Sequence, residues 1–582
     1  MKTSFTELKG RQRAIALLDN NSFAELLGPF DQLESPHLTP QGIVPESDDG
    51  MIIARGSFNG QPTVILSIEG AFQGGGIGEV NGTKIAASLE QVLADNKKGK
   101  KIIPIIIFDT GGVRLQEANY GLLIISEIQS AIVALRDYVP VIGLIPGNVG
   151  SFGGMSLTAA LCSHLIMTGT ARFGMNGPEV IEQEAGITEF NSRDRRLIWD
   201  TIGGLTRFHT GLVDQLVEDD VQAFKTSIQK AIQQKPGIPR TRQVDRFLSA
   251  INQLDPTAKN TNDTVAALLN PQPAQPRPGE DAKTIKDAPA NQDPQTIDTP
   301  AIGAPPIDTP PIKDAHTPSR GRTWFAALTG NAPSLSDFPG VLVADKTFNG
   351  KLTRYIAVVP NASNRYPRSR HGEVGLQEGW VLAKYVRQAI EADAASTDKR
   401  NIIAIIDVPS QAYGYNEELM GIQYACAAAA DAYATARLSG HIVTGLIVGN
   451  AISGAFLAHG LQSSRLIALD DKDINVQAMS KQSAARITKR TIAELEAATQ
   501  KVPAMAYDIK NYYNLGALDA LIENVDADNP GAEDVKKVEL QLSLAIAAKD
   551  FTLQRRLNTK PAVTTGRTTS ILVRNKLAEQ WN

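Results

Sequence analysis

One strand–loop–helix–strand pattern occurs twice in this chain, the second copy about 300 residues after the first. KIIPIIIFDTGGVRLQEANYG (101–121) and VPVIGLIPGNVGSFGGMSLTAALCSHLIMT (139–168) are answered by NIIAIIDVPSQAYGYNEELMG (401–421) and HIVTGLIVGNAISGAFLAHGLQSSRLIAL (441–469). Asp109 corresponds to Asp407, Glu117 to Glu417, and Gly153-Gly154 to Ser453-Gly454. Each copy is preceded by two apolar runs joined at an Asn-Gly pair, Asn59-Gly60 and Asn349-Gly350, which is a strong hairpin signal. A helical stretch then follows, at 83–99 and at 375–395. Apolar strands without polar alternation, separated by helices, predict sheets buried on both faces in an α/β arrangement. Two matched halves can face each other across a pseudo-twofold axis and build one pocket between them.

The two copies are separated by a stretch with prolines every few residues and almost no aromatics. Such a composition cannot bury enough apolar surface to offset the cost of ordering, so 253–320 is read as a disordered, locally extended tether. The chain, 582 residues long, is too long for one core. It divides into a first domain over 1–252, the linker 253–320, a second domain over 321–530, and a helical, polar extension over 531–582. Residues 6–28 read as a helical opening. A tether between similar halves looks like a fusion of two subunits that would otherwise assemble, with the link raising their local concentration.

Composition excludes several classes. A net charge of −4 gives no global basic field for nucleic acid. The two cysteines, Cys162 and Cys426, lie in alanine-rich apolar stretches, which excludes a disulfide framework or a cysteine zinc ribbon. The N-terminus lacks a signal-peptide core and no long apolar run suggests a membrane span, so a cytoplasmic protein is expected. HExxH, a Walker A loop and a GxSxG elbow are absent, and the seven histidines show no ligand spacing. Gly74-Gly75-Gly76-Ile77-Gly78 leads into EVNGTK rather than directly into a helix, unlike a dinucleotide fingerprint.

Chemistry is expected at the glycines. Gly111-Gly112-Val113-Arg114 follows an apolar strand and precedes a helix, where glycines let backbone N–H groups approach a ligand closely. The same loop could equally be a tight structural turn. The second small-residue step, Gly153-Gly154 and Ser453-Gly454-Ala455, gives each half a backbone-amide site on a shared cleft. Such donors stabilise a developing thioester enolate, by about 3–4 kcal/mol per donor. Gln116, Glu117 and Tyr120 could orient a substrate, although Glu117 could also simply pair with Arg114. Ser151 and Ser453 place small hydroxyls beside the amides. Arg365, Arg368 and Arg370 fall within six residues, a pattern suited to forked contacts with phosphates and equally to a solvated loop.

DTGGVRLQEA, GSFGGM and FGMNGPEVIE (173–182) resemble the carboxyltransferase branch of the crotonase-like superfamily. More closely, RGSFNGQPTVILSIEGAFQGGGIGEVNGTK (55–84) looks like the β subunit of biotin-independent malonate decarboxylase. RGRTWFAALTG (320–330), NRYPRSRHGEVGLQEGW (364–380) and 401–490 look like its γ subunit. The resemblance implies two crotonase-like (ββα-superhelix) domains related by a pseudo-twofold. It implies decarboxylation of a malonyl thioester to the acetyl thioester and carbon dioxide. The substrate would ride on the phosphoribosyl-dephospho-CoA arm of an acyl carrier protein subunit, loaded by a separate transferase subunit, with no cofactor or metal bound directly. A CoA-like thioester would be the ligand, with neither nucleic acid nor membrane as partner; the pattern is compatible with a homo-oligomer.

By the same resemblance, one oxyanion site maps onto Gly112 and Val113, the other onto Gly454 and Ala455 with Ser453 as catalytic neighbour. Gly153, Gly154, Ser151, Tyr120, Arg365, Arg368 and Arg370 would then bind substrate. Pro409-Ser410-Gln411 replaces the Gly-Gly pair in the second half, which makes that first step a structural one. Two alternatives stand beside this reading: a biotin-dependent acyl-CoA carboxyltransferase component, and a catalytically silent scaffold.

Overall fold

The computed structural model describes residues 2–235, 237–270, 319–548 and 551–581. Most of the segment read as a linker, 271–318, lies outside the described residues. Within them the chain forms two sheets of seven strands each. The first runs in sequence order, β1 (Ala24–Leu26), β2 (Met51–Phe58), β3 (Gln61–Ile68), β4 (Ile103–Ile107), β5 (Ile142–Ile145), β6 (His164–Thr168) and β7 (Gln215–Val217). The second contains β8 (Val341–Phe348), β9 (Lys351–Val358), β10 (Asn401–Val408), β11 (Val443–Ile452), β12 (Arg465–Leu469), β13 (Val476–Gln477) and β14 (Ala520–Ile522).

Each sheet opens with an antiparallel hairpin and continues parallel. Both hairpins turn at an Asn-Gly with positive φ, 48° and 76° at Asn59-Gly60 and 51° and 76° at Asn349-Gly350, the twist that two-residue hairpins require. The apolar runs are buried on both faces: all five residues of β4 and all four of β5 are inaccessible. Helix covers those faces, Glu79–Lys97 in the first half and Leu376–Ala392 in the second.

Helix Ala118–Leu135, buried along its whole length, packs on the alanine-rich helix Ile422–Leu438 of the other half. By length and composition the first could cross a membrane, a feature the sequence reading passed over; here it is interior to the protein. Alanines on its partner allow the close approach that joins the halves.

Two expectations need correction. The opening is a short helix, Gly10–Leu17, and then β1, which pairs antiparallel with β2; it is not helical to residue 28. Residues 253–270 are not extended linker: Asn262–Leu269 is a helix capped by the Thr261 hydroxyl, with Val265 and Leu269 buried. In the extension, Thr568–Trp581 is a helix docked on Glu79–Lys97 of the first half. Its polar appearance hides a stripe, Ser570, Val573, Leu577 and Trp581, at helical spacing and buried.

Candidate active site

Parallel strands end together, so the loops that follow β4 and β5 emerge side by side. Thr110 pairs with Ser151, and Ser151 with Phe173, aligning three loops at this edge. Asp109, at the end of β4, accepts the N–H groups of Val149 (2.9 Å) and Gly150 (3.4 Å) and receives Arg13 Nη1 at 2.9 Å. Asp407 accepts the N–H of Asn450 and of Gly321, both at 3.1 Å. Burial raises both carboxyls above the usual carboxylate range, against these hydrogen bonds. The matched aspartates therefore shape the loops and do not face a ligand.

In the first half the Gly112 N–H donates to Thr110 Oγ1 (3.0 Å), and the Gly153 N–H to the Met175 carbonyl (2.8 Å). Gly112 is thus not a free donor, which corrects the expected pair of Gly112 and Val113. The N–H groups of Val113 and Gly154 have no hydrogen-bond partner among the described residues. They lie on touching loops. A Cβ on Gly112 (φ 105°) would sit 2.9 Å from the Phe152 carbonyl oxygen, and one on Gly153 (φ 53°) 3.8 Å from the Val113 nitrogen. Only glycine allows this approach. Gly111, Val113 and Gly153 reach solvent. Gly154 lies under them, at the second residue of helix Gly153–Ala160, where the helix leaves backbone N–H groups unsatisfied.

The second half shares the bridge pairing and the positive φ at the second step, but not the positive φ of Gly112, and its outcome is different. Gln411 pairs with Val374 as Val113 pairs with Ile77, so Gln411 occupies the place of Val113. Its Oε1 accepts the Gly454 N–H at 3.1 Å. Its Nε2 donates to Asn176 Oδ1 of the first half at 2.7 Å. A Cβ on Gly454 would lie 2.0 Å from Met175 Cε, so that methyl covers the glycine. Gly454 is therefore engaged within the protein, a correction to the expected Gly454 and Ala455 pair, and Ala455 is fully buried. Ser453 holds φ 60° where Gly153 holds 53°, a conformation that costs a serine about 1 kcal/mol or more.

The side chains divide. Glu117 is fully buried, accepting the Glu79 N–H (3.1 Å) and the Ser35 hydroxyl, with Arg114 Nη1 at 3.4 Å. Arg114 also meets Asp49 at 2.7 Å. Glu117 thus belongs to a buried ion cluster beneath the loop and not to a substrate face. Gln116 is half-buried and its carbonyl accepts from Gln41 Nε2 at 3.0 Å. Tyr120 donates its hydroxyl to the Gly566 carbonyl at 2.6 Å and so holds the C-terminal segment. Ser151, whose backbone pairs with Thr110 and Phe173, carries a buried Oγ with no hydrogen-bond partner among the described residues.

Of the arginines expected to meet phosphate, Arg365 and Arg368 brace the halves and Arg370 holds its own loop. Arg365 donates to the carbonyls of Asn252 and Leu254, each at 2.6 Å. Arg368 reaches the Ala185 carbonyl (3.2 Å) and Glu189 (3.1 Å), and Arg370 Nε the Asn364 carbonyl (2.9 Å). Gln411 was expected only as part of a structural step and Met175 and Asn176 only within the 173–182 motif, and Glu418 was not singled out. The one signal for them was a glutamine where the other half has valine.

Residues 7–275 match the family model of the carboxyl transferase domain, and 369–581 that of the malonate decarboxylase gamma subunit. Malonyl-S-ACP:biotin-protein carboxyltransferase MADC of Malonomonas rubra is 40% identical over 243 residues, which are 40% of this chain and 76% of that protein. MADD, a protein of the same description and organism, is 36% identical over 192 residues, 32% of this chain and 66% of its own length. A chain of a Pseudomonas malonate decarboxylase hetero-tetramer, solved in complex with malonate, is 50% identical, with 46% of this chain and 97% of that one covered and a TM-score of 0.45. At this identity and coverage, the chain belongs to the malonate decarboxylase branch of the carboxyl transferase family, with a carboxyl transferase domain and a gamma-subunit domain on one polypeptide.

Proposed function

We propose that the chain decarboxylates a malonyl thioester carried on an acyl carrier protein. Val113 and Gly154 hold the thioester oxygen. The bond between the carboxylate carbon and the α-carbon breaks, and carbon dioxide leaves. The electron pair moves through the α-carbon onto the thioester oxygen, where the two N–H groups stabilise the enolate. The α-carbon then takes a proton from water and the acetyl thioester remains. The observation that carries this reading is the pair of unpartnered backbone N–H groups on touching loops at the carboxyl ends of parallel strands. Ser151 Oγ, buried and without a hydrogen-bond partner among the described residues, is the side-chain donor assigned in this reading to a carboxylate or carbonyl oxygen. The phosphoribosyl-dephospho-CoA arm, the carrier and transferase subunits and a cytoplasmic setting belong to the same proposal.

A second reading is favoured by the descriptions of the Malonomonas relatives, carboxyl transfer from malonyl-S-ACP to a biotin protein. One assay separates the two: carbon dioxide release from a malonyl thioester, with and without avidin. Gly154→Pro removes the donor at a helix position that tolerates proline, while Gly154→Ala keeps the donor and adds a methyl. Avidin-insensitive release that falls roughly 100- to 1,000-fold in Gly154→Pro, and far less in Gly154→Ala, is the expected result. Equal losses in both variants would refute the amide's role.

A further inference from the structure

Each half places two backbone N–H groups at matching positions, Val113 and Gly154 in the first and Gln411 and Gly454 in the second, and only the second half meets its glycine N–H with a side chain. In the second half, the Gly454 N–H is met by Gln411 Oε1, and every group behind Gln411 is itself held. Asn176, which receives Gln411 Nε2, donates its own Nδ2 to the Ala412 carbonyl at 3.1 Å. The Asn176 N–H donates to Glu418 Oε1 at 2.6 Å, and the Met175 N–H to Glu418 Oε2 at 3.0 Å. Arg207 Nη2 lies 3.8 Å from the same carboxylate. Gln411, Asn176, Glu418 and Met175 are all buried, so the cap is part of the interior and draws on both halves. Val113, at the matching place in the first half, has a side chain that cannot accept a hydrogen bond.

We infer that the Gln411–Met175 cap closes the second amide site to a carboxyl acceptor, so that carbon dioxide leaves instead of being transferred. Capture of carbon dioxide by a ureido group such as that of biotin needs a nucleophilic nitrogen. A urea nitrogen becomes one only when negative charge gathers on the urea oxygen, and that oxygen needs a donor. Gly454 would be the donor by symmetry with Gly154, and it is engaged. Met175 Cε fills the space above it. The inference rests on the decarboxylase reading and deepens it: two similar halves give one reacting site and one sealed site.

The test uses the full chain and the double variant Gln411→Val, Met175→Ala, which gives the second half the side chain of the first. Carboxyl-labelled malonyl thioester is supplied with free biotin, and label is followed into carbon dioxide and into acid-labile carboxybiotin. Biotin binding is measured separately by equilibrium dialysis. The parent is expected to send its label to carbon dioxide and to retain no biotin. The variant keeps carbon dioxide release, since Val113 and Gly154 are untouched. It gains biotin retention of roughly ten-fold or more and a measurable carboxybiotin fraction. A parent that binds or carboxylates biotin overturns the inference. So does a folded, releasing variant that still ignores biotin. A parent that releases no carbon dioxide sinks the decarboxylase reading alone, because dialysis still reports whether the second site is closed.

Discussion

Val113 and Gln411 show how one residue decides what a shared backbone can do. The two residues occupy matching bridge positions, and the valine leaves the neighbouring glycine N–H free where the glutamine side chain consumes it. A second residue pair, Glu117 and Glu417, shows how a matched position can carry different physics. Glu117 is tied to Arg114, Ser35 and a backbone N–H. Glu417 is buried with a hydrogen bond from its own backbone N–H, which lowers its pKa by less than burial raises it. Burial pushes its carboxyl up to about 7, with Glu189 and Glu418 adding to the rise and Arg368 opposing it. Its unfolded value is about 4.3, so between those values the native state binds the extra proton. That contribution to stability is complete below about pH 4.3 and is lost as pH rises through 7, with a slope of up to about 1.4 kcal/mol per unit. Glu417→Gln removes the titration. The melting-temperature difference between variant and parent should therefore shift in the variant's favour from pH 5 to pH 8. A difference that does not move with pH would mean that Glu417 is not protonated in the native state.

At the scale of elements, the sequence was most readable where periodicity and turn chemistry agree. Both hairpins, both covering helices and the parallel core strands follow from apolar runs closed by Asn-Gly or glycine. What it could not convey was the engagement of individual donors, because whether Gly112 or Val113 keeps its N–H free depends on where Thr110 Oγ1 points. The arginine run failed for a similar reason. Charge density was visible, but the carbonyls of 252 and 254 that absorb Arg365 lie more than 100 residues away in sequence. The extension was expected to be helical and polar, but its docking was not legible, because Val573, Leu577 and Trp581 are diluted by polar neighbours. It docks by burying ions as well as that stripe. Glu127 is fully buried; burial alone would raise its carboxyl, and the guanidiniums of Arg567 and Arg574 overcome this and hold it low. Ser570 adds two contacts to Glu79, at 3.0 and 2.8 Å. Arg567→Met leaves part of a buried charge unmatched and should cost about 3 kcal/mol, read as a lower melting temperature. Adding Glu127→Gln should recover much of that loss, since the two residues share one interaction. Simple additivity of the two losses would show that Arg567 matters for packing alone.

On the whole-molecule scale, the two halves are bound by more than the chain between them. Asp431, on the helix Ile422–Leu438 of the second half, receives Arg136 at 2.7 Å and Arg242 at 3.9 Å from the first, together with Arg387 of its own half at 3.3 Å. Burial alone would raise this carboxyl, and three guanidiniums hold it well below the usual carboxylate range instead. Glu418 grips the Met175 and Asn176 amides, Arg437 donates to Ser130, and the C-terminal helix lies on the first half. These contacts are buried and cross between halves, so they persist whether or not residues 271–318 are continuous. A protease site placed in that stretch and cut should give two fragments that co-elute and retain carbon dioxide release. The same cut in an Asp431→Ala variant strands the buried Arg136 guanidinium and removes a partner of the half-buried Arg242, a loss of about 3–5 kcal/mol. In that variant the fragments should separate on dilution, measured by sedimentation velocity, while the uncut variant stays together through its covalent link. Separation of the cut parent would instead make the link itself the principal restraint, and the buried arginine cluster a consequence of tethering rather than a cause of assembly.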